Sequence, residues 1–299
     1  MYRDHFKQLY GQDLKEYIII NADCMNVFKF MPENFIDVVV CDPPYETTAY
    51  GTSGLGGLFG DTREFSKGKG GFDYNDLDIN DYLDELYRVM KPSAHGYLMT
   101  NQKNLYKFLD AFKKLENNKN PDKGFSVYKV LVWDKQSKIT NKFYMDQHEY
   151  IIFFRKGSQK KIVNAGTSSI LSFPKIRKPS SNKIKWEKIH PTIKPVDLMR
   201  TLIANSTNEG EIVLDFTMGS GSTGVAALSL NRKFVGIQID QKYYVEAKRR
   251  IISFDENKQR GLSPEQALLE DSNRLFFKVN KNNRPILDAE GNRIWYKKK

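Results

Sequence analysis

The chain has 299 residues, enough to bury a substantial core as one large domain or two small ones. No run reaches the ~18 apolar residues of a membrane span, the polar start does not read as a signal peptide, and 2 cysteines with 4 scattered histidines give neither a disulfide framework nor metal-ligand spacing. A reducing cytoplasm fits that cysteine usage, and the net charge of +11 points to a polyanionic partner.

Residues 1–16 read as a polar arm or short helix. Tyr17–Ile20 reads as a strand, with Asn21-Ala22-Asp23-Cys24 at its carboxyl end. There Asp23 can cap the next helix, Asn26–Met31, or accept a hydrogen bond from a ligand at the sheet edge. The β-branched run Asp37–Cys41 is a buried strand that stops at Asp42-Pro43-Pro44-Tyr45, because two prolines cannot continue a ladder. Ligands of open α/β sheets bind at that carboxyl edge. The stop presents an acceptor-only carboxylate, free prolyl carbonyls and an aromatic face, a set suited to a flat ring bearing an amino group. Taken alone, the tetrapeptide reads equally well as a strand end with Tyr45 in packing.

Residues 46–76, polar and glycine-rich, are expected to form a mobile lid. Asn80 is expected to cap a helix bearing Leu83, Leu86, Tyr87 and Met90, stopped by Pro92. His95–Thr100 is a strand and Leu105–Leu115 an amphipathic helix. Ser126–Trp133 and His148–Phe154 form a hairpin at one sheet edge, joined by a polar connection over 134–143. Residues 156–188 then hold nine Lys or Arg against one acid, with Phe173 and Trp186 interleaved. Such a run is either a solvated loop or a nucleic-acid contact surface. His190-Pro-Thr-Ile-Lys194-Pro195 opens a helix with Leu198, Met199, Leu202 and Ile203 on its buried face.

Strand Glu211–Phe216 runs into Thr217-Met-Gly219-Ser-Gly221-Ser222-Thr223-Gly224 and helix Val225–Asn231; strand Lys233–Ile239 precedes helix Tyr243–Phe254. The glycines spell G-x-G-x-x-G after a strand, a dinucleotide signature when read alone. Asp215 counts against it, since pyrophosphate would meet an acid, and so does the short stretch of chain that follows. An adenosyl ligand without phosphate removes both difficulties: the loop lets backbone approach an amino-acid moiety, and Gln238 and Asp240 reach ribose hydroxyls. In the remainder, Leu275–Val279 and Arg293–Tyr296 can pair as a hairpin.

In motif content the chain resembles the β-arrangement, S-adenosylmethionine-dependent DNA amino-methyltransferases. Asp42-Pro43-Pro44-Tyr45 matches their catalytic motif, His190–Pro195 the cofactor-helix motif and Asp215–Gly221 the cofactor loop, in that order over about Tyr17–Phe254. The resemblance implies an α/β fold with a Rossmann-like, circularly permuted, seven-stranded mixed sheet and helices on both faces. Residues 1–254 would form the catalytic domain, 157–189 its inserted target-recognition region and 255–299 an extension. The donor would be S-adenosylmethionine, contacted by Asp23, Cys24, Thr192, Lys194, Asp215, Thr217, Gly219, Gly221, Ser222, Thr223, Gln238 and Asp240. In that set Asp23 would bind the adenine amino group of the cofactor, and Thr192, Lys194, Ser222 and Thr223 its carboxylate.

Lys175, Arg177, Lys178, Lys183 and Lys185 would contact double-stranded DNA. A homodimer and a cognate restriction endonuclease are further candidate partners. Gln238 stands where the family usually has Glu, and Phe216 replaces a common proline. The reaction implied is direct methylation of N6 of a flipped adenine, with N4 of cytosine as the alternative, since that branch tends to carry Ser in place of Asp42. An RNA methyltransferase and a non-catalytic protein of the same fold are the other classes.

Overall fold

The computed structural model describes residues 16–45, 77–116, 124–139, 144–179, 185–280 and 282–295. The expected N-terminal arm, the expected lid over 46–76, Lys183 and the side chain of Lys185 lie outside the described residues.

The sheet grows from β2 (Ile36–Cys41), which is buried along its whole length. A strand buried on both faces needs neighbours on both edges and helices above and below. Its parallel partners are β8 (Ile212–Asp215) and β3 (Met90–Thr100). Beyond β8 lie β9 (Lys233–Ile237) and β1 (Tyr17–Ile20), also parallel. Beyond β3 the direction reverses through β5 (Asp146–Lys156), which pairs antiparallel with both β3 and β4 (Phe125–Ile139). The order is β1-β9-β8-β2-β3-β5-β4-β6, where β6 (Ile170–Ser172) is a short edge strand from the basic insert. The seven strands expected are therefore joined by an eighth, and β6, not the β4–β5 hairpin, forms the edge.

Side chains alternate between two cores, as a strand period of two requires. Val39 and Cys41 face helices α1 (Cys24–Phe28), α2 (Ile79–Val89) and α3 (Gln102–Leu115). Val38 and Val40 face α4 (Val196–Ser206), α5 (Ser222–Ser229), α6 (Gln241–Gln259) and α7 (Pro264–Ser272). Phe216 is buried between Phe28 and Tyr82, with ring centroids 5.8 and 5.1 Å away, so its replacement of the family's proline is absorbed in packing.

Several boundaries differ from the sequence reading, each for a local reason. The cap of α2 is Asp78, whose Oδ1 accepts from the Asn80 N–H at 2.7 Å, so Asn80 already lies inside the helix. β3 begins at Met90, and its register against β2 shifts between Ile36 and Val38, which accommodates the donor-less Pro92. β4 continues past the polar residues to Ile139, which pairs with Asp146 of β5 after an irregularity between Asp134 and Ile139.

The C-terminal stretch is tied back to the basic insert. Strand β10 (Phe276–Val279) pairs antiparallel with β7 (Lys185–Lys188), forming a separate two-stranded sheet. The opposite side of β10 meets the segment around Trp295, through a Phe277–Trp295 bridge and a Lys278 N–H to Ile294 carbonyl bond of 2.8 Å. Ile189, Ile193, Leu275 and Phe276 make a third small core under this sheet. No helix among the described residues is long and apolar enough to cross a membrane.

Candidate active site

Parallel neighbours deliver their carboxyl ends to one edge, so β2 and β8 place Asp42 and Thr217 side by side. Thr217 Oγ1 donates to the Asp42 carbonyl at 3.2 Å and lies 3.0 Å from Cys41 Sγ. The Asp42–Tyr45 tetrapeptide and the glycine loop are thus joined by one hydroxyl. The residues gathered here line a cavity of about 500 Å³, within the range typical of small-molecule sites. Every expected cofactor residue except Gly221 lines it, as do all four residues of the tetrapeptide.

Asp42 is the electrostatic centre of that cavity. Its Oδ2 is ion-paired with Lys194 Nζ; Oδ1 is buried with no hydrogen bond of normal length and angle, and the Tyr45 hydroxyl stands near enough to bear on the carboxylate. Burial raises the Asp42 carboxyl above the usual carboxylate range against the pull of Lys194, and Glu149 adds to the rise. Burial opposes the Lys194 charge, but Asp42 and Glu149 outweigh it and hold that ammonium above its ordinary value. Tyr45 is half-buried against the α1–α3 core, and burial, then Asp42 and Glu149, push its phenol well up.

The glycine loop is held from three sides. Gly219 adopts φ of +48°, and a methyl group there would stand 3.2 Å from the His190 ring. The Gly219 N–H donates to Gln238 Oε1 at 3.2 Å. Gly221, with φ of +76°, precedes α5 and lets the loop turn into it. Behind the loop, Asp215 accepts from the Thr217 N–H at 3.2 Å, and burial raises its carboxyl to about 6. Arg250 braces the loop from α6, donating to the Ser220 carbonyl and Ser222 Oγ, each at 3.0 Å, while its other nitrogens grip Asp271.

Asp23 and Asp240 both cap helices, accepting from Met25 N–H at 2.8 Å and Tyr243 N–H at 2.9 Å. Both also line the cavity, so the structural and ligand-facing readings of Asp23 coexist. Ser222 Oγ donates to the Lys194 carbonyl at 2.8 Å, tying the glycine loop to the 190–195 segment. His190 lies beneath that segment; its Nδ1 accepts from the Thr192 N–H at 3.2 Å and burial lowers its pKa to about 3, so it is a neutral packing group.

The decisive comparison is with protein families: residues 36–249 match the family model described as DNA methylase, covering N6 and N4 enzymes. The chain belongs to the DNA methylase family. Type II methyltransferase M.HpaI of Haemophilus parainfluenzae is 29% identical over 79% of this chain and 74% of that protein. Among solved structures, the M1.HpyAVI–SAM complex is similar in fold, with a TM-score of 0.54 at 20% identity over 78% of this chain and 99% of that one. PvuII DNA methyltransferase (cytosine-N4-specific) aligns with a TM-score of 0.58 at 16% identity, over 87% and 93% of the two chains.

This DNA methylase is an enzyme whose methyl donor is S-adenosylmethionine. Its cavity fits that donor chemically. The loop keeps the side of Gly219 free of side chain where His190 already stands close, and Asp215 supplies negative charge that a pyrophosphate would not tolerate but a cationic ligand would.

Several residues of this site carry no sequence signal of their own. Glu149 and Lys135, on β5 and β4, reach the cavity and pair at 3.4 Å; Glu149 Oε2 lies 3.8 Å from Lys194. Trp133 and Met99 also line it. Arg250 looks like any helix-surface cation in the sequence, and only the fold buries it. His190 was detectable, since it opens the motif that ends at Pro195. Of the expected DNA contacts, Lys175 lines the cavity, and Arg177 and Lys178 are exposed beside it in sequence. Lys188 joins them at the cavity wall, where its Nζ donates to the Ile176 carbonyl at 2.8 Å; burial, with Lys175 and Lys178 nearby, lowers its pKa to about 8.

Proposed function

We propose that this methylase transfers a methyl group to N6 of an adenine flipped out of double-stranded DNA, with Asp42, Pro43, Pro44 and Tyr45 forming the base-binding end of the cavity. The observation that carries the reading is the buried Asp42 Oδ1, an anionic acceptor without a hydrogen bond of normal length and angle at the edge of a cavity shared with the glycine loop. When bound, S-adenosylmethionine supplies an electrophilic sulfonium methyl. The chain's part is to prepare the nitrogen. Asp42 and the Pro43 carbonyl would accept its two N–H bonds, drawing the lone pair out of conjugation with the ring. Positioning and charge complementarity then do most of the catalysis. The Tyr45 ring, which lines the cavity, would stack on the base, returning ~1–3 kcal/mol of the cost of flipping. Thr192, Lys194, Ser222 and Thr223 would hold the donor's carboxylate, Asp23 with Cys24 its adenine, Gln238 and Asp240 its ribose.

Asp42, where the cytosine branch tends to carry Ser, favours adenine. Lys175, Arg177, Lys178 and the remaining cations of residues 157–189 would supply the phosphate contacts. Residues 1–254 would act as the catalytic domain and 255–299 as an extension. A cytoplasmic location, a homodimer and a cognate restriction endonuclease belong to the same proposal.

The test is base-resolved sequencing of duplex DNA treated with the enzyme and S-adenosylmethionine. N6-methyladenine at one recurring sequence is expected, and Asp42→Ala should lower the rate by roughly 10²–10³ while leaving DNA affinity largely intact. N4-methylcytosine alone would overturn the adenine assignment. An Asp42→Ala enzyme of normal turnover would remove the tetrapeptide from the chemistry.

A further inference from the structure

We infer that Glu149 is a positioning residue for methyl transfer: it offsets the charge of Lys194, so that the Asp42 carboxylate remains a strong hydrogen-bond acceptor toward the amino nitrogen. The inference rests on the proposed amino-methylating role of Asp42. Four charged groups alternate along one cavity wall, in the order Asp42, Lys194, Glu149, Lys135. They come from four separate elements: the end of β2, the turn before α4, β5 and β4. Each interior member has an opposite charge on both sides.

Lys194 has two effects on Asp42. By pinning Oδ2 it fixes the rotamer and leaves Oδ1 as the remaining acceptor. By its charge alone it would also quench the carboxylate, and that works against a nitrogen that becomes positive as it is alkylated. Glu149 removes the second effect without disturbing the first. Its Oε2 is buried without a hydrogen-bond partner and stands 3.8 Å from Lys194 Nζ, so it acts through charge and not through a directed bond. Lys135 stands on the other Glu149 oxygen at 3.4 Å, so the second carboxylate of the wall has a cation on each side. The groups bearing on the cluster are Asp42 and Tyr45 from the end of β2, Asp215 from β8, Lys135 from β4, Lys175 from the insert and Lys194 itself. Glu149 is thus the main protein carboxylate besides Asp42 that answers Lys194; without it only the weaker pull of Asp215 remains.

The experiment uses the full chain with duplex DNA and S-adenosylmethionine, reading turnover, its pH profile and the two dissociation constants separately. In Glu149→Gln, turnover should fall at least about tenfold with both dissociation constants within about twofold of wild type. The acid limb of the turnover profile should move to lower pH, because Glu149 no longer raises the proton affinity of Asp42. Glu149→Asp should recover part of the loss, and with turnover read at saturating S-adenosylmethionine Glu149→Gln should add little in a Lys194→Met background. Turnover near wild type, an unmoved acid limb, or a full additional loss in the Lys194→Met background would overturn the inference. If Glu149→Gln does not fold, the acid limb of Glu149→Asp decides by the same criterion. Wild-type enzyme that methylates no amino group would sink the reading of Asp42 itself, whereas active wild type with an indifferent Glu149 sinks only this inference.

Discussion

At the scale of single residues, the site is crowded with groups that look reactive and are not. Cys41 is the best example, adjacent to Asp42 and 3.0 Å from a hydroxyl. Burial, then Asp215, hold its thiol well above the ordinary value, so no thiolate forms at neutral pH. Its role is to fill the end of β2 and to share the Thr217 hydroxyl. Cys41→Ala should therefore retain methyl transfer within about fivefold of wild type and lose about 1–2 kcal/mol of stability from the small void. Activity assays and denaturant titration check both. A loss of activity as large as that expected for Asp42→Ala would mean that the sulfur takes part in the chemistry.

At the scale of elements, the glycine loop depends on a helix far along the chain. Arg250 is 3% exposed and Asp271 4%, and the guanidinium spends its remaining hydrogen-bonding capacity on Ser220 and Ser222. Removing Arg250 alone strands a buried carboxylate and should cost about 3–5 kcal/mol. Arg250→Met with Asp271→Leu should recover most of that stability, since a well-packed apolar pair replaces a buried ionic one at little net cost. It should not recover cofactor affinity, because the loop has lost its brace. Thermal denaturation and calorimetry with S-adenosylmethionine separate the two effects. Full affinity in the double variant would make Arg250 a purely structural group.

What was legible in the sequence follows the same division. Val38, Val39 and Val40 announce β2 because a strand buried on both faces must be apolar and β-branched throughout. The stop at Pro43-Pro44 is equally local. Helix α7 carries a local signal too, the capping box of Ser263 and Gln266. The pairings Lys194–Asp42 and Arg250–Asp271, the approach of Glu149, and the meeting of β7 with β10 were not legible. Each joins segments whose separation is set by topology, and no periodicity or capping rule reaches that far.

At the scale of the whole molecule, acid should destabilise this protein partly through buried imidazoles. His95 Nε2–H donates to the Lys160 carbonyl at 2.9 Å, and Nδ1 accepts from Ser206 Oγ at 2.8 Å. Burial lowers the pKa from 6.5 to about 4. The unfolded chain therefore takes up a proton at His95 between pH 6.5 and about 4 that the folded one refuses, and stability falls as pH falls through that window. Asp42 and Asp215, both raised, pull the other way over part of it. Comparing wild type with His95→Gln isolates the imidazole: the stability difference between them should shrink by about 2 kcal/mol from pH 7 to pH 5. Denaturant midpoints at the two pH values measure it, and parallel curves would contradict the assignment.

The antiparallel pairing of β10 with β7 constrains how such an enzyme can acquire a new target sequence. A recombination event that replaced only residues 157–189 would set a foreign strand against the resident Phe276–Val279, and replace Ile189 in the core it shares with Ile193, Leu275 and Phe276. The next residues after that core are the ones that carry Lys194 to Asp42. With residues 157–189 as the proposed target-recognition region, inheritance of specificity would be bipartite. A graft should succeed when the insert travels with its distant C-terminal strand, and should fail at the methyl-transfer step when it travels alone.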